Sequence, residues 1–320
     1  MKGDAAVSKP KGQRQKRYTF FTDIKRNKIS YLLVLPAMLY TFVYGYMTLP
    51  YMVIAFQKFN YTKGIFESDW VGWKNFEFFF NSTAAAMVTW NTIKLNFLSI
   101  LFGTIVALAF SILLNEIRSR VFKRVSQSTL LFPHFLSWII VSYIVYSLFA
   151  TEHGLINNML ETFGFDPHNW YSDPKPWTWI LVGLSIWKET GMSAVIYLAA
   201  ITAIDDSLYE AAKIDGANRW QQIKSITIPM LMPTVSILTL LAIGKIFYSD
   251  FGMIYAIIGD NGMLYSTTDV IDTYTFRTLR TSGNPAIAMA IGLYQSVVGF
   301  VLVLSANWIV KKFNKDSAMF

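Results

Sequence analysis

The 320-residue chain contains no cysteine, which excludes a disulfide framework and any thiolate metal site. Charge is scarce as well: 15% of residues are charged against 53% hydrophobic, too little polar surface for an ordinary soluble domain. The three histidines, His134, His153 and His168, stand far apart and are split between an apolar run and a polar loop, which argues against a metal centre. No Gly-x4-Gly-Lys-Ser/Thr loop is present, so ATP is not bound here in that manner, and no nucleophile elbow points to a hydrolase. No internal repeat stands out.

What the chain has instead is apolar length. Six runs approach the roughly 20 residues that cross a hydrocarbon layer: Tyr31 to Phe56, Val88 to Asn115, Ser128 to Phe149, Trp177 to Ala203, Ile226 to Ile258 and Ala286 to Val310. The expected fold is therefore all-α and integral to a membrane, with six transmembrane helices and room for a kink at Pro233 in the fifth. Of 28 lysines and arginines, nine precede the first run, four fall in residues 116–125, three in 204–226 and three after residue 310, while the opposite loops hold six. Cytoplasmic flanks carry the excess of positive charge, so both termini and the 204–226 loop are expected on the cytoplasmic side. The expected division is a basic interfacial segment over 1–29, a transmembrane domain over 30–311 and a cytoplasmic tail over 312–320. Lys11, Arg14, Lys16 and Arg17, close to Tyr18, Phe20 and Phe21, suit the inner membrane surface and are too polar for a cleaved signal peptide. The net charge of +8 is explained by topology and anionic lipid rather than nucleic acid, because the basic residues flank the spans.

The most informative stretch lies between the fourth and fifth spans. Asp205, Asp206 and Ser207 are helix-start residues, and Glu210 puts a negative charge in the first turn, where it suits the helix dipole. Gly216 can end that helix, Asn218 can cap a second one, and Pro229 suits the first turn of the following span. The product is a helix-turn-helix elbow with Tyr209, Ala212 and Ile214 available to fill a partner's groove.

The spacing Glu210-Ala211-Ala212-x3-Gly216-x9-Ile226-x-Ile228-Pro229 resembles the EAA loop of bacterial ABC importer permeases, with Ile228 where the family has leucine. Phe132-Pro133-His134, Trp170-Tyr171-Ser172-Asp173-Pro174 and Asp215-Gly216-Ala217 are similar to the carbohydrate-uptake class, which includes permeases for maltose and for complex or acidic oligosaccharides. The resemblance runs from the first span to the end. It implies a type I ABC importer fold in the bacterial cytoplasmic membrane, half of a heterodimer with a second permease subunit. It also implies two ATP-binding cassette subunits docked on the elbows and an extracytoplasmic solute-binding protein that delivers sugar. The chain itself is then no enzyme and binds no cofactor directly; ATP and magnesium are used by the partner ATPase subunits. Tyr209, Glu210, Ala211, Ala212, Asp215, Gly216, Ala217 and Pro229 are the implied coupling residues, with Glu210 meeting the ATPase surface and Gly216 keeping the elbow's angle.

Ionisable groups inside a span are costly and usually face a cavity or a partner. That rule makes Lys188, Glu189, Lys245 and Asp250 candidates for a substrate path, and an internal Lys188–Glu189 ion pair is the competing reading. Aromatic faces suit pyranose rings, which adds Trp138, Tyr143, Trp187 and Tyr248; interfacial anchoring explains Trp and Tyr equally well. The resemblance to maltose-type permeases implies that the stretches Trp187-Lys188-Glu189 and Lys245, Phe247, Tyr248 and Asp250 lie where sugar contacts occur in that family, which adds Phe247. His134 and Ser137 are further candidates, although a histidine beside a proline can simply satisfy freed backbone carbonyls. Lys188 and Lys245, with Arg277 and Arg280 in the last outer loop, point to an acidic saccharide. The alternative class is an ion-coupled secondary transporter or channel, which shares six spans and intramembrane charge but needs no ATPase. A structural or sensory membrane protein is a third; the elbow argues most directly against the secondary transporter.

Overall fold

The computed structural model describes residues 20–313, so the basic stretch from Lys11 to Tyr18 and most of the tail lie outside the described residues. Residues 1–52 and 53–320 form two compact units. In the first, α1 (Phe20–Arg26) and α2 (Lys28–Thr41) are followed by a wide turn over Phe42–Tyr46. Thr41 and Thr48 donate back to the carbonyls of Ala37 and Tyr44 at 2.9 and 3.1 Å, so their hydroxyls are satisfied within an apolar run. No residue of α2 is buried. The run Lys28–Phe56 is long and apolar enough to cross a membrane, and a bilayer accounts for that exposure as water does not.

The second unit opens with the one departure from an all-helical chain among the described residues. Strand β1 (Gln57–Asn60) pairs antiparallel with β2 (Gly64–Trp70), Gln57 lying opposite Trp70. The Asn60 side chain accepts from the Thr62 amide at 2.9 Å and shapes the turn. Lys58, Lys63, Glu67 and Asp69 make this segment too polar to extend the first span.

After α3 (Lys74–Phe80) comes α4 (Thr83–Glu116), capped by the Ser82 hydroxyl on the Ala85 amide. Its 34 residues reach about 51 Å at 1.5 Å per residue, longer than the hydrocarbon layer. It packs along α8 (Trp177–Thr202). Ala107 and Ala194, each fully buried, sit in one cluster with Tyr197 and let the two backbones come close.

The third span is not one helix. α5 (Arg120–Leu131) gives way to a tight turn over Phe132–Phe135, and α6 (Trp138–Phe149) leaves at 96°. Pro133 supplies no amide proton and disfavours helix in the residue before it, which breaks the expected continuous run from Ser128. Ser137 then caps α6 through the Ile140 amide. α7 (Leu155–Thr162) lies in the connection to α8.

The fifth run also differs from expectation. α9 (Asp206–Ile214) and α10 (Arg219–Gln222) precede α11 (Ile228–Ile243), which stops fifteen residues short of Ile258. Pro233 lies inside α11 and does not end it. The end comes at Gly244, and an irregular turn carries Lys245 to Asp250 before α12 (Phe251–Ile258) resumes. α13 (Tyr265–Thr268), α14 (Ile271–Ser282) and α15 (Pro285–Phe313) complete the order. Among the described residues, four helical runs are long and apolar enough to span on their own, and up to six if two bent pairs count as one each. The main core joins α6, α8 and α12 through Val141, Val145, Trp177, Leu181 and Ile254.

Candidate functional site

Two regions collect the polar chemistry of this chain: the elbow and a groove along α4 and α8. In the elbow, the Asp205 carboxylate accepts from the Ser207 amide at 2.9 Å, and this bond holds its carboxyl below the ordinary value. α9 ends on Gly216 at φ +80°, a conformation that costs other residues a clash with their own Cβ. The Ala217 amide bonds the Ala212 carbonyl at 2.8 Å and the Gly216 amide bonds Lys213 at 3.1 Å, the paired closure typical of a glycine helix end. Asn218 and Gln221 cap α10 reciprocally at 2.9 and 2.7 Å. The helix then widens over Ile223–Thr227, just where Pro229 would press on the carbonyl four residues back.

These closures leave a defined outer surface. Ile214 is 87% exposed and Trp220 69%, with Glu210 and Ala211 also exposed. Tyr209 turns the other way: its hydroxyl meets Thr227 Oγ1 at 2.9 Å and ties α9 to the base of α11. Arg219 lies 3.6 Å from Glu116 at the end of α4, so the elbow is braced on that helix as well.

The groove has about 450 Å³ of room. From α8 come Ser185, Glu189, Ser193 and Tyr197, four residues apart along one helical face. α4 contributes Asn96, Ser99 and Thr104 opposite them, and the turn after α11 contributes Lys245 and Tyr248. Thr190 is only 5% exposed, and its hydroxyl on the groove wall has no internal partner among the described residues.

The residues singled out in the sequence divide here. Glu189, Lys245 and Tyr248 meet at the groove; Trp138, Trp187, Lys188, Phe247 and Asp250 do not line it. Lys188 is buried and donates to the carbonyls of His134 and Leu136, both at 2.7 Å, with Pro133 at 3.5 Å. It therefore staples the break between α5 and α6, and neither pairs with Glu189 nor stands free for substrate. Glu189 instead lies 3.3 Å from His134 Nδ1. Thus Lys188, not His134, satisfies the freed carbonyls. Ser137 is spent on capping α6, and Trp138 Nε1 bonds Asp250, which also caps α12 through the Met253 amide at 2.9 Å. Phe247 is buried, its carbonyl held by Gln295.

The outer arginines are committed too. Arg277 pairs with buried Asp269 and stacks on Tyr265 at 4.0 Å, while Arg280 lies 3.0 Å from Asp260 and donates to the Tyr255 hydroxyl at 2.9 Å. Of the four cations first grouped as an acidic-saccharide site, Lys245 alone is left without a partner among the described residues. The residues missed in the sequence were Ser185, Thr190, Ser193, Tyr197 and Asn96; the four-residue polar repeat from Ser185 to Tyr197 was the available signal.

A helical membrane subunit with a polar groove inside its spans and an exposed elbow between two of them has the build of a transport permease. The chain belongs to the family of binding-protein-dependent transport system inner membrane components, whose model matches residues 99–315. It is accordingly a non-catalytic, multi-pass inner-membrane subunit of an ABC importer that works with a binding protein. Protein LplB of Bacillus subtilis (strain 168) is 35% identical over 94% of this chain and 94% of its own length. The polygalacturonan/rhamnogalacturonan transport system permease YteP of the same organism is 33% identical over 98% of this chain and 96% of that protein. Among solved structures, a bacterial ABC transporter involved in the import of the acidic polysaccharide alginate superposes with a TM-score of 0.84 at 32% identity, covering 92% of this chain and 99% of that one. A bacterial alginate ABC transporter in complex with an alginate pentasaccharide-bound periplasmic protein gives a TM-score of 0.83 at 32% identity.

Proposed function

We propose that this chain forms half of the translocation path of an ATP-driven importer for acidic oligosaccharides, paired with a second, related permease subunit. The observation that carries the reading is the layout of α8. Its middle presents Glu189 and the hydroxyls of Ser185 and Ser193 to the groove, and its end leads within four residues into the elbow. Motion imposed on the elbow thus reaches the groove through one rigid helix. Polyhydroxylated rings match the hydroxyl and amide lining, and Lys245 supplies a cation for a uronate carboxylate. Relatives named for polygalacturonan, rhamnogalacturonan and alginate transport support the acidic class.

In this reading the elbow faces the cytoplasm, as do both termini, and an ATP-binding cassette subunit docks on Glu210, Ala211, Ile214 and Trp220. ATP and magnesium are bound by the two ATPase subunits and not by this chain. ATP shifts the equilibrium between inward and outward states only insofar as the ATPase touches them differently, and the elbow carries that difference.

The test is ATP hydrolysis and uptake in vesicles holding this chain with its partner permease, ATPase and binding protein. A uronate oligosaccharide on the binding protein is expected to stimulate hydrolysis, and Glu210→Ala to lower stimulated hydrolysis and uptake together. Uptake without ATP, or indifference to Glu210→Ala, overturns the coupling role. Equal uptake of neutral and uronate oligosaccharides of one length overturns the acidic specificity.

A further inference from the structure

The turn between α11 and α12 is held in an unusual way. Every residue from 246 to 250 is fixed by a side chain from another helix. Asn96 of α4 donates to the Ile246 carbonyl at 2.8 Å and to Ser249 Oγ at 3.2 Å. Gln295 of α15 donates to the Phe247 carbonyl, and Ser296 meets the Tyr248 hydroxyl at 3.1 Å. Asp272 of α14 accepts from the Ser249 amide at 2.9 Å, and Trp138 of α6 holds Asp250. Irregular backbone at membrane depth is tolerated where it is buried in protein or lines a cavity, and these anchors meet the polar groups that the turn's own backbone bonds leave over.

The turn is also what aims Lys245 and Tyr248 into the groove. Had α11 continued as a regular helix, its own carbonyls would also take the Ser249 amide and each successive side chain would advance by about 100°, so the angle between Lys245 and Tyr248 would be set by helix geometry alone. Asp272 and Gln295 therefore select this geometry over a helical one. They are further joined to each other, Gln295 Nε2 lying 3.2 Å from both carboxylate oxygens of Asp272. Gln295 is buried, and neither residue lines the groove.

Resting on the reading of the groove as the sugar path, we propose that Asp272 and Gln295 are positioning residues for substrate selection. They act from behind the wall, by fixing the turn that sets where Lys245 and Tyr248 meet a passing saccharide. Asp272 takes the Ser249 amide while Gln295 takes the Phe247 carbonyl, so the two ends of the short segment carrying Tyr248 are clamped by one bonded pair. Loss of either member releases one end and lets Tyr248 and Lys245 drift relative to Glu189.

The experiment uses the complete importer in vesicles and measures the ratio of uptake rates for neutral and uronate oligosaccharides of equal length. Asp272→Ala, which removes the acceptor of the Ser249 amide, is expected to shift that ratio by about tenfold, the scale of one misplaced hydrogen-bonding group, while the complex assembles normally. Gln295→Leu, which frees the Phe247 carbonyl, is expected to move it in the same direction. Should Asp272→Ala fail to assemble, Gln295→Leu decides the question. Lys245→Gln is measured alongside. If Lys245→Gln changes the ratio and the anchor variants leave it as in the parent, or slow both saccharides equally, the positioning role is wrong and the groove reading stands. If Lys245→Gln and Tyr248→Phe also leave the ratio untouched, the groove is not the selecting path and both readings fall.

Discussion

Trp138 Nε1 donates to Asp250 Oδ2 at 2.6 Å and so joins the first turns of α6 and α12. Both helices begin inside a span, immediately after a break in the chain. The bond therefore ties one irregular segment to the other. Trp138→Phe keeps an aromatic ring at this position while removing the donor and part of the packed surface. It is expected to lower stability by about 1–2 kcal/mol, read as a lower unfolding temperature of the purified protein in detergent. An unchanged temperature would mean that the bond contributes nothing net.

Lys188 and Lys245 are both intramembrane lysines, yet opposite outcomes are expected for them. Lys188→Met leaves the carbonyls of His134 and Leu136 without their donor, at about 1–3 kcal/mol for each group stranded. Yield and thermal stability should fall whatever the saccharide. Lys245→Gln should leave yield intact and weaken uptake of uronate oligosaccharides relative to neutral ones. Equal behaviour of the two variants in both assays would contradict this division.

Two glycines fail for different reasons. A Cβ on Gly191 would lie 1.9 Å from the Leu130 carbonyl oxygen, a backbone atom that cannot swing aside, so Gly191→Ala is expected to abolish a folded product. A Cβ on Gly216 meets nothing within 4 Å, and only the +80° backbone angle is strained. Gly216→Ala should then cost about 1–2 kcal/mol locally, leave expression normal and reduce ATPase stimulation. Fluorescence-detected chromatography and ATPase assays separate the two cases.

The carboxyl of Asp205 is held below its ordinary value by the Ser207 amide, so it contributes stability to α9 at pH above the unfolded value. That contribution is lost as pH falls through the lower folded value. Amide exchange in residues 206–214 is expected to speed up on acidification in that range, and Asp205→Asn, which carries no titrating carboxyl, should show a flatter profile. Identical profiles would remove Asp205 as the cause.

Helix ends were the legible part of the sequence. Asp205, Gly216 and Asn218 stand at the ends of α9 and α10 because capping is local chemistry, decided within four residues. The breaks at 132–137 and 244–250 were not legible, although Pro133 and Gly244 mark them. A proline or glycine in an apolar run is compatible with a continuous span unless distant groups satisfy the opened backbone. Those groups, Lys188 for one break and Asn96, Asp272 and Gln295 for the other, are far away in the chain. The fate of Arg277 and Arg280 was hidden too, because their partners Asp269 and Asp260 lie in the irregular connections before α14, where no periodic pattern marks a pair. In the groove, charge flagged Glu189 and Lys245, but the neutral lining was hidden because serine and threonine are common in membrane helices for their own sake.

The staple at the first break also bears on the order in which the protein is made. Translation proceeds from the amino end, and Lys188 follows Leu136 by about fifty residues, a few seconds at the usual rate of synthesis. Throughout that interval the carbonyls of His134 and Leu136 lack the Lys188 donor that later holds them and must be hydrated or sheltered by the insertion apparatus. The third span thus enters the bilayer unfinished, and α8 completes it on arrival.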